Sequence, residues 1–234
     1  IARAVDWVLN MQSLQGGWAA FDVDNDMEML THIPFADFMT PLDPVSVDVT
    51  AHVVELLARL DHDPSSPVLE RATAYLRSEQ EESGAWFGRW GVNYIYGTAA
   101  VLMALREIGE GPRQPTMLDG ARWLNDHQNH DGGWGESCRS YEDERMQGAG
   151  PSTASQTAWA VLGLLAAGEA HSTAVRRGVR YLLDTQFDDG RWDEPIYTGT
   201  GFPRAFYLRY HMYPIYFPLL ALARYHRMTK GDEI

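Results

Sequence analysis

Apolar and polar positions along the chain fall into two alternating kinds of segment. DVTAHVVELLARL, YGTAAVLMALREIG and SQTAWAVLGLLAAG are apolar nearly all round, the pattern of helices buried on every side. They align on a Thr-Ala pair, Thr50-Ala51, Thr98-Ala99 and Thr157-Ala158. YPIYFPLLALARY, near the C-terminus, is of the same kind. Between them run amphipathic stretches, beginning with IARAVDWVLNMQ at the first residue. One buried and one half-exposed helix in alternation predict an all-α fold, an α/α barrel (toroid) with an inner and an outer ring. Four pairs are present. A closed ring of this kind takes about six, so an incomplete ring is expected.

The amphipathic stretches carry an internal repeat. AVDWVLNMQSLQGGW, ATAYLRSEQEESGAW, GARWLNDHQNHDGGW and GVRYLLDTQFDDGRW superimpose. Each places a Gln six residues before a Trp: Gln12/Trp18, Gln80/Trp86, Gln128/Trp134 and Gln186/Trp192. A Gly stands two before each Trp (Gly16, Gly84, Gly132, Gly190), and an aromatic five before each Gln (Trp7, Tyr75, Trp123, Tyr181). The aromatic and the Gln read as helical and the Gly as the stop. The Gln amide is expected to cap a neighbouring helix end while the Trp folds back over the turn. Four copies cannot all line one active site, so these are structural staples. They also account for six of the 8 tryptophans.

Composition narrows the function. The 234 residues are 45% hydrophobic and 22% charged, an ordinary globular balance. A net charge of -13 argues against nucleic acid and against a polybasic membrane anchor. The single Cys138 rules out a disulfide framework and fits a reducing compartment. It reads as a packed thiol. No apolar run approaches the ~20 residues of a membrane span, and no signal peptide is evident. Ile1 opens inside a helical pattern, which is expected of an incomplete chain.

FDVDND, residues 21 to 26, sets Asp22, Asp24 and Asp26 at alternate positions, like the start of a calcium loop. That loop needs Gly and Glu where Met27 and Ile33 stand, so calcium is excluded. No phosphate loop, Ser–His–Asp set or Cys-x-x-Cys pair occurs, and no cofactor or metal is expected.

GGWAAFDVDND, HIPFADF, SVDVTAHVVE, WFGRWGVNYIYGT, NHDGGWGESCRSYED, STASQTAWA and WDEPIYTGTGFPRAFYLRYHMY carry a resemblance. With the Gln…Trp staples, they make the whole chain, residues 1–234, similar to the C-terminal part of the squalene–hopene cyclases, of the terpene cyclase/mutase family. Protein prenyltransferase β subunits share the barrel but hold zinc; here Glu136-Ser137-Cys138 imitates that site without a His to complete it. The resemblance implies an isomerase of hopanoid biosynthesis that turns squalene into hopene or hopanol by acid-started carbocation chemistry. It implies peripheral attachment to the cytoplasmic face of a membrane and leaves a homodimer open. The family's Asp-x-Asp-Asp acid would fall before Ile1, so FDVDND is expected to be a structured loop near the cavity floor and this chain alone inactive. The other reading is a non-catalytic remnant or apolar-lipid-binding module. Open inner faces predict that the isolated chain aggregates or is molten.

By the same resemblance, His52 assists the acid, with Asp48 one turn before it at i, i+4 and Tyr96 joined through water. A core histidine is the alternative, but the repeat puts Ala100 and Trp159 at equivalent positions, so the fold does not require His there. Asp48 also suits a helix N-cap, and Tyr96 a buried core. Carbocations need faces that attract charge without bonding to it, and aromatic rings supply roughly 0.5–2 kcal/mol each. GFPRAFYLRYHMY provides Phe202, Phe206, Tyr207, Tyr210 and Tyr213. The resemblance places Phe202 and Phe206 at later cations and Tyr210 and Tyr213 at earlier ones, and adds Trp90 and Phe21 to the cavity. Phe21 stands where the family often has Tyr. Core packing is the rival explanation for any single ring. His32, in HIPFADF, reads as structural.

Overall fold

The computed structural model describes residues 1–27 and 42–230. HIPFADF and its His32 lie outside the described residues, as does Ile33. Among the described residues eight α-helices alternate as expected. The outer set is α1 (Ala2–Asn10), α3 (Pro67–Ser78), α5 (Pro115–Asp126) and α7 (Thr173–Asp184). The inner set is α2 (Val47–Arg59), α4 (Tyr94–Glu107), α6 (Ala154–Ala166) and α8 (Tyr213–Thr229). The inner helices pack side by side in chain order, and α3, α5 and α7 each lie chiefly against the inner helix that precedes them, α2, α4 and α6.

Each staple is a set of hydrogen bonds joining a helix pair. Every Trp indole N–H donates to a carbonyl ten residues earlier, on Val8, Leu76, Leu124 and Leu182, at 2.8, 2.6, 2.7 and 2.8 Å. These carbonyls lie in the last turn of the outer helix, beyond the regular i→i+4 ladder. The backbone N–H of Trp18, Trp86 and Trp134 donates to the hydroxyl of Thr50, Thr98 and Thr157, at 2.9, 3.0 and 2.9 Å. The aligned threonines are thus the inner helices' half of the staple. The Gln amides of Gln12, Gln80 and Gln128 each donate to the Gly carbonyl of their own turn and to a carbonyl in the first turn of the next outer helix, on Val68, Thr116 and Ala174. The expected capping is therefore a bridge between consecutive outer helices. Gln186 makes the first bond, to Gly190.

Burial follows each helix's place in the row. α4 and α6 are buried from Tyr94 to Leu105 and from Ala154 to Leu165. α2 and α8 flank them and are not buried all round, which corrects the expectation for those two. Leu56 on α2 is 43% exposed and Leu219 on α8 is 50% exposed. A middle helix has an inner neighbour on each side, whereas α2 and α8 have one. α1 has no fully buried residue, and its Trp7 is exposed where Tyr75 and Trp123 are buried.

A short antiparallel hairpin was not foreseen. β1 (Gly199–Phe202) pairs with β2 (Phe206–Leu208), with a bulge between Thr200 and Phe202. β1 also bonds to the loop before α4 through Val92 N–H to Thr198 O and Thr200 N–H to Trp90 O. The Gly-Thr-Gly run allows this close packing: a Cβ on Gly201 would overlap the Phe206 ring, and one on Gly199 the Tyr210 ring.

The staple glycines all have φ between +84° and +98°, a region that costs other residues about 1–2 kcal/mol. At Gly84 a Cβ would also sit 2.7 Å from the Asp119 carbonyl oxygen of α5, whereas at Gly109, φ +94°, it would meet nothing. Gly109→Ala is expected to lose about 1–2 kcal/mol and Gly84→Ala clearly more, checked by paired urea titrations. Equal losses would mean that approach of the next outer helix imposes no requirement on the staple.

Candidate active site

The loops at the N-terminal ends of the inner helices are held by buried carboxylates. Glu136 accepts the N–H of Asn93 and Ile95, at 3.2 and 3.0 Å, at the start of α4. Glu194 does the same for α6, taking the Ser155 N–H at 2.8 Å and the hydroxyls of Ser155 and Thr198 at 2.9 Å. Negative charge at a helix N-terminus meets unpaired N–H groups and the positive end of the dipole. Burial nonetheless pushes both carboxyls above the usual glutamate range. Each Glu stands two residues after a staple Trp, Trp134 and Trp192, and that spacing was the available signal for them. Glu136 is a helix-capping carboxylate rather than an imitation zinc ligand. Among the described residues no group of three His, Cys, Asp or Glu side chains converges on a metal position.

Asp48 is fully buried in the first turn of α2. Its carboxylate accepts the Trp90 N–H at 2.6 Å and the Val49 N–H at 3.1 Å. Among the described residues it makes no bond to His52, so the geometry expected for that pair is absent. It is not the N-cap either: Ser46 holds that place. A first-turn Asp sits under the incoming loop, and here it fixes the backbone that presents Trp90.

His52 is on the exposed side of α2, and its Nε2 lies 2.9 Å from the Tyr96 hydroxyl of α4. Tyr96 is buried, its ring 4.8 Å from that of Trp159 on α6. Burial first, and the Asp48 charge second, raise the Tyr96 phenol well above its usual range, so it keeps its proton. The contact can therefore carry the phenol's hydrogen to a neutral imidazole, or a charged imidazole's hydrogen to the phenol oxygen.

The remaining expected residues fall into two groups of rings. Phe21 meets Trp90 edge-on at 5.8 Å, Trp90 lies 6.3 Å from Phe202, and Phe202 5.9 Å from Phe206. The second group continues from Tyr96 through Trp159 to Tyr213 at 5.8 Å and on to Tyr210 at 4.6 Å. Tyr207 belongs to neither. Neighbours on a strand face opposite ways, and Tyr207 stacks on Tyr141 at 5.9 Å, on the other side from Phe206. Its hydroxyl donates to the Cys138 carbonyl at 3.4 Å. Tyr141 in turn places its hydroxyl 2.8 Å from the carbonyls of Gly88 and Gly91. Tyr207 thus props the loop that carries Trp90. The Cys138 thiol is pushed up to about 11 by burial, which makes it a poor nucleophile.

The FDVDND carboxylates serve the first staple. Asp24, at φ +54°, accepts from the Ser13 hydroxyl and the Leu14 N–H, and Asp26 from the Gln15 amide. Asp22 accepts from Asn25 at 2.9 Å. Asp43, which the sequence reading did not single out, gathers the N–H groups of Ala20, Phe21 and Asp22. This segment is a structured loop, with Phe21 68% exposed at its head. Among the described residues the rings form an open face rather than a closed cavity, since Tyr210 is also 39% exposed. Trp159 and Arg89 were also missed as site residues. Trp159 occupies the repeat position of His52, and Arg89 is next to Trp90.

Residues 1–227 match the profile of the squalene-hopene cyclase C-terminal domain. The chain is 56% identical over 225 residues to a squalene–hopene cyclase of Alicyclobacillus acidocaldarius, covering 96% of this chain and 36% of that protein. It is 50% identical over 234 residues to one from Zymomonas mobilis, covering 99% of this chain and 35% of the relative. A dammaradiene synthase of the fern Dryopteris crassirhizoma is 45% identical over 257 aligned residues, covering all of this chain and 38% of that protein. The chain therefore spans about a third of the length of these curated relatives. Among solved structures, the type II terpene cyclase MstE from Scytonema (R337A variant, with bound substrate) superposes with a TM-score of 0.71 at 18% identity, covering 97% of this chain and 67% of that one. That likeness concerns the fold.

The buried Glu136 gives a pH test. Its folded carboxyl is raised above the unfolded value. The folded state then holds the extra proton between the two values, and stability falls as pH climbs through that window. Glu136→Gln removes this titration and leaves one oxygen for the Ile95 N–H. Relative to the parent, the variant is expected to gain as pH rises above the ordinary glutamate range, read as a shift in urea midpoint. A difference that stays flat with pH would show that burial does not perturb this carboxyl.

Proposed function

Because the chain belongs to the squalene-hopene cyclase family, we propose that its 234 residues form the C-terminal catalytic portion of a triterpene cyclase. The substrate in this reading is squalene, and the products are hopene and hopanol. The observation that carries it is the hydrogen-bonded His52–Tyr96 pair at the margin of the ring face. Acid-started polyene cyclisation needs a proton donor of unusual strength and, beside it, surfaces that tolerate positive charge without bonding to it. This chain supplies the second need and part of the first.

In this mechanism the proton donor comes from a segment outside these residues. His52 holds that acid through a charge-assisted bond, which favours its reactive state, and Tyr96 orients the imidazole. Protonation of the terminal alkene creates a tertiary cation. Successive alkenes then attack it, and the charge moves along the substrate past Tyr210, Tyr213 and Trp159, and past Phe21, Trp90, Phe202 and Phe206. Each ring face attracts the cation through its π density at roughly 0.5–2 kcal/mol without readily forming a bond to it. Loss of a proton ends the sequence as hopene, and capture of water ends it as hopanol. The exposed rings require a cover that excludes water, and the remainder of the longer protein is the proposed cover. The relatives' length and the under-covered α1 and Trp7 support this. Among the described residues no helix is long and apolar enough to cross a membrane.

A lipid-binding module without chemistry is the less favoured reading, since the similar proteins of known name are enzymes. The fern relative's name keeps a different cyclised product open. The complete protein, incubated with squalene and extracted for gas chromatography with mass detection, is expected to yield a pentacyclic C30 hydrocarbon. His52→Ala should reduce turnover on the order of 10²-fold or more, with Tyr96→Phe less severe because the ring stays packed on Trp159. Squalene that binds but is recovered unchanged would establish the lipid-binding reading instead.

A further inference from the structure

Arg89 sits in the loop between α3 and α4, directly before Trp90. Its guanidinium carbon lies 5.4 Å from the Trp90 ring centre and 5.9 Å from that of Phe202. Its Nε is buried without a hydrogen-bond partner. No carboxylate among the described residues pairs with it at ion-pair distance. Asp43 and Asp48 are near enough to favour its charge, against the burial that disfavours it. Both carboxylates are already committed to backbone N–H groups, Asp43 to the Phe21 loop and Asp48 to Trp90. On another side Arg89 borders a pocket of about 350 Å³, together with Ser46, Tyr75 and Glu79, where water can solvate the charge. A guanidinium keeps its proton under such conditions.

Among the described residues, contacts of a cation over a ring are confined to Trp90 and Phe202. The Tyr96–Trp159–Tyr213–Tyr210 group has none. The ring wall is therefore electrically uneven. A ring already facing a fixed cation has less attraction left for a second one, and like charges repel across the short gap.

We propose that Arg89 determines product specificity by making the Trp90–Phe202 part of the wall a poor resting place for positive charge. The cation passes this region quickly and is not quenched there. Arg89 acts through the rings and touches no reacting atom, so it is a positioning residue, and the inference rests on the cyclase reading above. Without its charge, Trp90 and Phe202 hold a cation longer, and partly cyclised products form while it rests.

The test uses the complete protein carrying Arg89→Met, Arg89→Gln or Arg89→Lys. One readout needs no turnover: binding of dodecyltrimethylammonium against its uncharged carbon isostere, 2,2-dimethyltetradecane, from the same dispersion, followed by tryptophan fluorescence. The Met and Gln variants are expected to shift preference toward the ammonium by about tenfold, while Lys stays within about twofold of the parent. The second readout is the product mixture from squalene. Partly cyclised hydrocarbons should rise in the Met and Gln variants and not in Lys. An unchanged ammonium preference in the charge-removing variants overturns the proposal. So does an equal shift in all three, because that would be packing and not charge. If the parent cyclises no polyene yet the preference still shifts with charge, the cyclase reading fails and the electrostatic role of Arg89 stands.

Discussion

The arrangement depends on one short contact, the backbone N–H of a staple tryptophan donating to a threonine hydroxyl buried in the first turn of an inner helix. It ties the end of an outer helix to the start of its inner partner. Around it the indole closes an open carbonyl on the outer helix, and the glutamine amide reaches the next outer helix. Each pair is thereby fixed internally and registered against its neighbour. The contact is made where water is absent: Thr98 and Trp86 are fully buried. A donor left unpaired there costs about 1–3 kcal/mol, so the threonine cannot be exchanged for an apolar residue of similar shape without loss.

Because the staples carry the architecture, the remaining parts of the loops, running from the staple Trp to the start of the inner helix, are free to hold chemistry. Their backbones are organised by carboxylates, with Asp43 under Phe21, Asp48 under Trp90, and Glu136 and Glu194 at the starts of α4 and α6. Acidic groups thus surround a face of aromatic rings without standing on it. For a carbocation this division matters, because a carboxylate in contact would capture the charge, whereas one behind the backbone only biases it. Arg89 supplies the opposite sign on the same wall, so the face is graded in potential and not uniformly attractive.

Several assignments made from residue spacing depended on distances that spacing does not give. Asp48 and His52 are one helical turn apart, yet Asp48 turns inward to Trp90 while His52 faces outward to Tyr96. A helix places both on one side, but which neighbouring backbone arrives there is a tertiary matter. Tyr207 sits in a run of aromatics and was grouped with them; the hairpin sends it to the opposite face. The hairpin itself was hidden because GTGFPRAFYL is short and interrupted by Pro203 and a bulge.

What the sequence determined by itself was whatever repeats. Four Gln…Trp copies and the alternating apolar helices specified the helix pairs, their order and the turn glycines, since each of those is fixed by local backbone geometry and burial period. The distinct position His52, against Ala100 and Trp159 in the same register, was also legible, because a departure from a repeat stands out. Only the tertiary structure decided which side chains meet across repeats: the His52–Tyr96 bond, the Trp159 platform, the capping by Glu136, and Arg89 against two rings. Apart from Arg89 against its neighbour Trp90, these contacts join residues 41 to 113 positions apart. Their geometry follows from how neighbouring helix pairs settle against one another, a quantity that no local pattern encodes.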